Sequence, residues 1–247
     1  TFKGGTIWST IVTINGGMQA IGYGLLVLFF AISLFRSAAS FRDFQRPEYV
    51  VRHLIQFVLA KVAITYGLDF LTKIFAVCNG IVATAAGSIG GADGASITMP
   101  AEIIDAINSL GFLESIPLWA VTLLGSLFIW VLSLVMILTV YSRFFKLYMA
   151  TAIAPIPLAS FAGQPSSSIG VAFIKSYAAI CLEGCMIVLA CIIFSQFAAA
   201  PPAIADDTMA AATIVWNYIG ELVFNMLVLV GAIKMSDRLV RELMGLG

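Results

Sequence analysis

Histidine occurs once in this chain, at His53, and charged residues occupy only 11% of its 247 positions. A single histidine leaves no His pair for a zinc or haem site and at most one candidate base for a His-dependent triad. There is no GxxxxGK[ST] phosphate loop, GxGxxG turn or HExxH helix, so any ATP hydrolysis has to come from another protein. The four cysteines, Cys78, Cys181, Cys185 and Cys191, all fall in apolar stretches. Cys181 and Cys185 are four apart on one helix face, where a disulfide is geometrically poor, so a packing role is expected. These absences lead to the expectation of a protein that is no enzyme and carries no cofactor. Thirteen basic and thirteen acidic residues cancel, which removes net charge as an argument for nucleic-acid binding and leaves the placement of charge to interpret.

What is abundant is apolar surface: 61% of residues are hydrophobic and the mean hydropathy is +1.03. A soluble domain carries about 45–50% apolar and about 25% charged residues, so this composition does not leave enough polar surface to face water. Five stretches are long enough to cross a bilayer as helices, at about 7–35, 54–84, 117–145, 170–199 and 213–235. Alternating strand patterns are absent and helices satisfy every backbone group in lipid, so the expected fold is all-α, a single polytopic membrane domain with five transmembrane helices. The first stretch is too long for a signal peptide, lacks a basic leader beyond Lys3 and has no small-residue cleavage site. The chain opens at Thr1 without a methionine, so the natural N-terminus is expected to lie further upstream.

Basic residues near span ends stay on the cytoplasmic side. Arg36, Arg42, Arg46 and Arg52 lie between the first and second stretches, Arg143 and Lys146 at the end of the third, Lys175 at the start of the fourth, and Lys234, Arg238 and Arg241 at and beyond the end of the fifth. The opposite side has Lys3 alone, against Asp93, Glu102, Asp105, Glu114, Asp206 and Asp207. The N-terminus is therefore expected outside and the C-terminus in the cytoplasm. Arg42, Arg46, Arg143 and Lys146 are candidates for attracting an anionic DNA strand or a cytoplasmic ATPase. The blander alternative is a topology signal plus contacts to anionic membrane lipids, and it carries more weight.

Two loops stand out. The outer loop, 85–116, begins Gly-rich and then spaces Ile103, Ile104, Ile107 and Leu110 like a short amphipathic helix, or a simple capped connector. The inner loop, 148–169, is apolar but contains Pro155 and Pro157, whose spacing is expected to forbid a regular helix. Irregular apolar backbone survives near a membrane only where protein or trapped water covers it, so this loop is expected to fold under the bundle or into its inner mouth.

Ionisable groups within spans normally face a protein interior or a hydrated cavity. Lys61, Asp69 and Lys73 share one side of the second stretch, with Asp69 and Lys73 at the favourable acid-before-base spacing of four. Asn217, Glu221 and Asn225 repeat every four residues on the fifth, and the fourth contributes Glu183. These are candidates for lining a hydrated path or joining subunits; holding helices together within one protomer is the alternative. Gly16, Ala20 and Gly24 place a small residue every fourth position on the first stretch, a pattern for close helix packing. A proton-coupled carrier using Asp69, Glu183 and Glu221 stays open, as does a membrane scaffold, although five spans do not divide into two inverted repeats.

The stretch YSRFFKLYMATAIAPIPLASFAG, Tyr141 to Gly163, followed by KSYAAICLEGCMIVLACIIFS, Lys175 to Ser195, resembles the TrbL/VirB-type inner-membrane subunits of type IV secretion systems. It is most similar to versions on conjugative elements of Gram-positive bacteria. The resemblance implies a non-enzymatic channel subunit in the bacterial cytoplasmic membrane. It implies a pentameric or hexameric homo-oligomer that works with secretion ATPases and other secretion subunits to pass DNA or protein. The outer loop is shorter than the outer domains of some relatives, so substrate contacts made by such domains do not carry over.

The topology is directly testable. A membrane-impermeant thiol reagent applied to intact cells is expected to label a cysteine introduced at Ser96 in the outer loop and to spare one at Ser40 in the first inner loop. The reverse pattern would invert the orientation.

Overall fold

The computed structural model describes residues 5–38, 47–88, 104, 111, 115–164, 166–197 and 211–246. Over these residues the chain is all helical: α1 (Thr6–Ala38), α2 (Pro47–Thr65), α3 (Gly67–Ser88), α4 (Ser115–Ile153), the short α5 (Pro155–Ala159), a 3-10 turn (Ser160–Ala162), α6 (Ser167–Phe197) and α7 (Ala211–Leu243). Five helices among the described residues are long and apolar enough to cross a membrane: Thr6–Arg36, Gly67–Ala85, Trp119–Ile153, Ser167–Ser195 and Thr213–Leu243. The expected amphipathic helix of the outer loop, Ile104 aside, lies outside the described residues, as do Arg42 and Arg46.

The second apolar stretch, expected as one span over 54–84, is two helices meeting at Tyr66. Hydrogen bonds continue through the junction, Tyr66 N–H donating to Val62 O and Phe70 N–H to Tyr66 O, both at 2.9 Å, so the path bends rather than breaks. Gly67 sits at the bend with Leu158 packed so close that a Cβ on it would meet Leu158 Cδ1 at 2.7 Å. A glycine at a bend relieves crowding that any side chain would restore. The last helix runs past the expected end near 235 to Leu243. It stops in a Schellman arrangement: Gly245 takes a positive φ of 67°, Leu246 N–H donates to Arg241 O, and Gly245 N–H to Glu242 O.

The chain divides into two compact units. The first comprises 1–80, 143–183 and 239–247, the second 81–142 and 184–238. In the first unit α1 buries Ile11, Asn15, Gly22, Leu26 and Ser33, alternating steps of four and seven residues that keep one seam facing inward. Its outer sides carry exposed Val12, Ile14, Ile21, Val27, Leu28 and Phe35. Such an arrangement suits lipid, which solvates apolar side chains and leaves small and polar ones for the helix contacts.

The proline-rich segment lies at the centre of this unit, with Ala154, Leu158, Ala159 and Ala162 fully or almost fully buried beside Leu26, Ala60, Ile64, Leu71, Leu147 and Tyr177. It packs against both α1 and α2. A Cβ on Gly22 of α1 would meet Pro155 O at 2.9 Å, and one on Gly163 would meet Phe29 O at 3.0 Å. The expectation that Pro155 and Pro157 exclude regular helix is corrected: α4 continues through 148–153, and Pro155 opens α5. Both prolines fall in the first turn of α5, where backbone N–H groups have no partner within their own helix, so little is lost. The loss falls on the preceding helix. Proline at 155 removes the amide that would have bonded the Thr151 carbonyl four residues back.

That carbonyl is repaired from α1. Asn15 Nδ2 donates to Thr151 O at 2.7 Å, and the two residues are 2% and 0% exposed. The Thr151 hydroxyl in turn donates to Leu147 O at 2.7 Å and lies 3.4 Å from the Tyr177 hydroxyl of α6. Two turns along α1 from Asn15, the Tyr23 hydroxyl hydrogen-bonds Thr65 Oγ1 at 2.9 Å, one residue before the α2–α3 bend. Between them Gln19 Nε2 reaches Ile64 O at 3.5 Å.

The second unit has a core of Ile187, Leu229 and Ile233 with Met136, Val140 and Phe194 against it. Gly125 of α4 is in tight contact with Ile219 of α7. Beside this contact an open, almost wholly apolar groove of about 180 Å³ runs between Leu124, Phe128, Trp216 and Val223.

The repair of the Thr151 carbonyl predicts a coupled pair. Asn15→Ala is expected to destabilise the protein by roughly 1–3 kcal/mol, because a buried acceptor is orphaned. In a Pro155→Ala background, whose new amide can serve Thr151, the same change is expected to cost at least about 1 kcal/mol less. Thermal unfolding of the four proteins in detergent checks this; equal costs in both backgrounds would uncouple Asn15 from the proline.

Candidate functional site

The ionisable residues within the spans divide into those turned outward and those taken inside. In the first unit Lys61, Asp69 and Lys73 are all exposed. Between them Thr72 is buried, its hydroxyl donating to Asp69 O at 2.9 Å. Thr65 donates to Lys61 O at 2.9 Å besides meeting Tyr23. Asp69 and Lys73, although at the favourable spacing of four, form no ion pair with each other among the described residues. A surface pair at this spacing contributes little and is not obligatory. In the second unit Asn217 and Glu221 are exposed on α7 and Asn225 is half-buried. The side chains of Asp69, Lys73 and Glu221 make no hydrogen bond or ion pair with any described residue.

Glu183 behaves differently. It is 3% exposed, within the first unit, and its Oε2 is 4.0 Å from Lys146 Nζ. Arg143, one turn before Lys146 on α4, donates from Nε to Ile180 O at 3.0 Å and from Nη2 to Cys181 O at 3.1 Å. Its guanidinium lies 5.6 Å from the centre of the Phe144 ring. Arg143 therefore clamps α6 carbonyls with two prongs of a planar fork, which lysine cannot reproduce. The sequence groups Glu183 with candidates for lining a hydrated path or joining subunits, and Arg143 and Lys146 with the cytoplasmic basic residues. The structure instead joins the three across the α4–α6 contact.

Gly16, Ala20 and Gly24 are exposed, and a Cβ added to Gly16 or Gly24 would meet nothing within 4 Å. The packed face of α1 is the one carrying Asn15 and Gly22. Pro155 is buried and Pro157 half-buried. His53 is buried too. No group of three His, Cys, Asp or Glu side chains is placed to hold a metal among the described residues.

Asn15, Gln19, Tyr23 and Thr151 were missed by sequence reasoning. One signal was present: a proline at 155 orphans the carbonyl at 151, and the spacing of four between Asn15, Gln19 and Tyr23 is a polar stripe like those recognised on the later helices.

Five long apolar helices, a buried proline-broken helix between two of them and charges left exposed within spans define a multi-pass helical membrane protein. Residues 8–155 match the family described as TrbL/VirB6 plasmid conjugal transfer like protein. The chain belongs to that family and is thus a membrane subunit of a bacterial conjugal transfer system that works with other subunits. No curated protein and no solved structure matches it.

The Lys146–Glu183 arrangement makes Lys146 unlike the outward lysines. Lys146→Met is expected to destabilise the protein by about 1–3 kcal/mol, below the 3–5 kcal/mol typical of a fully buried pair because Lys146 is one-third exposed. Lys73→Met is expected to cost under about 0.5 kcal/mol in the detergent-solubilised protomer. Adding Glu183→Gln to Lys146→Met is expected to recover much of the loss. Thermal unfolding in detergent measures all four proteins, and equal effects at Lys146 and Lys73 would contradict the assignment.

Proposed function

We propose that this protein is a non-enzymatic channel subunit, several copies of which form a ring in the bacterial cytoplasmic membrane through which DNA or protein substrate passes. The observation that supports this is the exposure of Asp69, Lys73 and Glu221 within helices apolar enough to cross a bilayer. A charge facing acyl chains near the bilayer centre costs roughly 2.5–3.5 kcal/mol, and only water or another protein removes that cost. A ring with a hydrated axis supplies both. The exposed small face of Gly16, Ala20 and Gly24 offers a surface on which a neighbouring helix can approach closely. With the N-terminus outside, the arginines between α1 and α2 face the cytoplasm, where secretion ATPases supply the energy.

Native mass measurement in detergent is expected to show a closed ring, with pentamer or hexamer anticipated. Asp69→Lys and Glu221→Lys are each expected to lower conjugal transfer by at least tenfold while membrane insertion stays normal. A monomer or dimer stabilised by a solute would point to a carrier instead. A ring that transfers normally with both substitutions would leave a scaffold and remove the channel.

A further inference from the structure

Resting on that ring, we infer that Lys73 of each copy forms an ion pair with Glu221 of the next copy, joining the α3 face of one protomer to the α7 face of its neighbour. Glu221 is the only charged residue of α7 before Lys234, and Lys73 is the only cation of α3. Both are exposed, and neither has a side-chain partner among the described residues. Most other cations within the spans are engaged elsewhere or lie at another depth. Arg143, Lys146 and Glu183 are engaged at the α4–α6 contact, Arg36 lies at the end of α1, and Lys175 is about 30 Å from the Ser195 end of its span, the end on the same side as Thr213.

Depth selects the same pair. In a chain whose five spans cross in alternation, the Ala85 end of the second span and the Thr213 end of the fifth lie on the same side of the membrane. Lys73 is about 18 Å along its helix from Ala85, and Glu221 about 12 Å from Thr213, at 1.5 Å per residue. The difference is within reach of an extended lysine. Lys61 lies about 36 Å from Ala85 along the chain, too far from Glu221 in depth for a side chain to bridge, and Asp69, an acid like Glu221, is no partner for it. Asn217 and Asn225, one turn to either side of Glu221, offer the lysine further acceptors. Two different faces meeting in this way make a head-to-tail contact, the kind that closes into a ring.

The test is a charge exchange in the full-length protein, read by native mass and by conjugal transfer. Lys73→Glu and Glu221→Lys are each expected to reduce both ring formation and transfer by at least tenfold, and the double exchange K73E/E221K to restore both to within about threefold of wild type. A second measurement mixes copies bearing different tags, one with K73C and the other with E221C. Oxidation is expected to join unlike tags only when both cysteines are present. No rescue by the double exchange together with no cross-link between tags, while the unsubstituted protein forms a ring, would overturn the pairing and leave the channel reading intact. If the unsubstituted protein forms no ring, the channel reading itself fails. A cross-link confined within single chains would also overturn the pairing between copies.

Discussion

The hydrogen bond from Asn15 to the Thr151 carbonyl is the constraint around which the first unit is organised. Pro155 gives the chain a turn that lets α5 and the following 3-10 segment enter the space between α1 and α2. The same residue strips a buried carbonyl of its amide. In lipid or in a dry core no water is at hand to repair that loss, and an orphaned acceptor costs about 1–3 kcal/mol. Asn15 repairs it only when α1 lies in one register against α4, since a shift of one residue turns the amide away. The close approaches of Gly22 to Pro155 and of Gly163 to Phe29 depend on that register as well.

The distribution of polar groups inverts what a soluble protein would show. The inward seam of α1 carries Asn15, Gly22 and Ser33, while its outer faces carry valine, isoleucine, leucine and phenylalanine. This follows from the solvent: acyl chains accept apolar side chains without penalty, so the core is free to hold the small and hydrogen-bonding ones. By the same reasoning, charges left on the outside of a span are the anomaly. Glu183 obeys the rule by lying inside next to Lys146, and Arg143 by donating to helix carbonyls. Asp69, Lys73 and Glu221 do not, and an isolated protomer in lipid would be destabilised by each of them.

How much of this the sequence made legible depends on the signal each feature rests on. Long apolar runs without alternation point to helices, and each of the five candidate spans overlaps one of the five stretches read from hydropathy, with ends that differ by up to 13 residues at the start of the second. Which side of α1 faces inward was marked only by the short polar stripe Asn15, Gln19 and Tyr23, because both sides are otherwise apolar or small and little amphipathic contrast separates them. The Gly16, Ala20 and Gly24 spacing was the more visible pattern, yet the inward seam is the one through Asn15 and Gly22. Glu183 and Glu221 look alike as single acids in apolar helices; only the arrival of Lys146 from another helix distinguishes the buried one from the exposed one. The prolines were read as helix breakers from their spacing alone. Their position in the first turn of a new helix, where they are tolerated, depends on where α4 ends.

The family match stops at Pro155, the residue that creates the need Asn15 meets. The donor and the acceptor both lie inside the matched region, but the packing that buries them does not: Leu158, Ala159, Ala162, Tyr177 and Cys181 all come after it. Without Leu158 to Ala162 the α2 face that α5 and the 3-10 turn cover would be exposed, with the bond to Thr151 open to competing partners. The segment from Leu158 to Cys181 thus conceals the bond that Asn15 makes to Thr151.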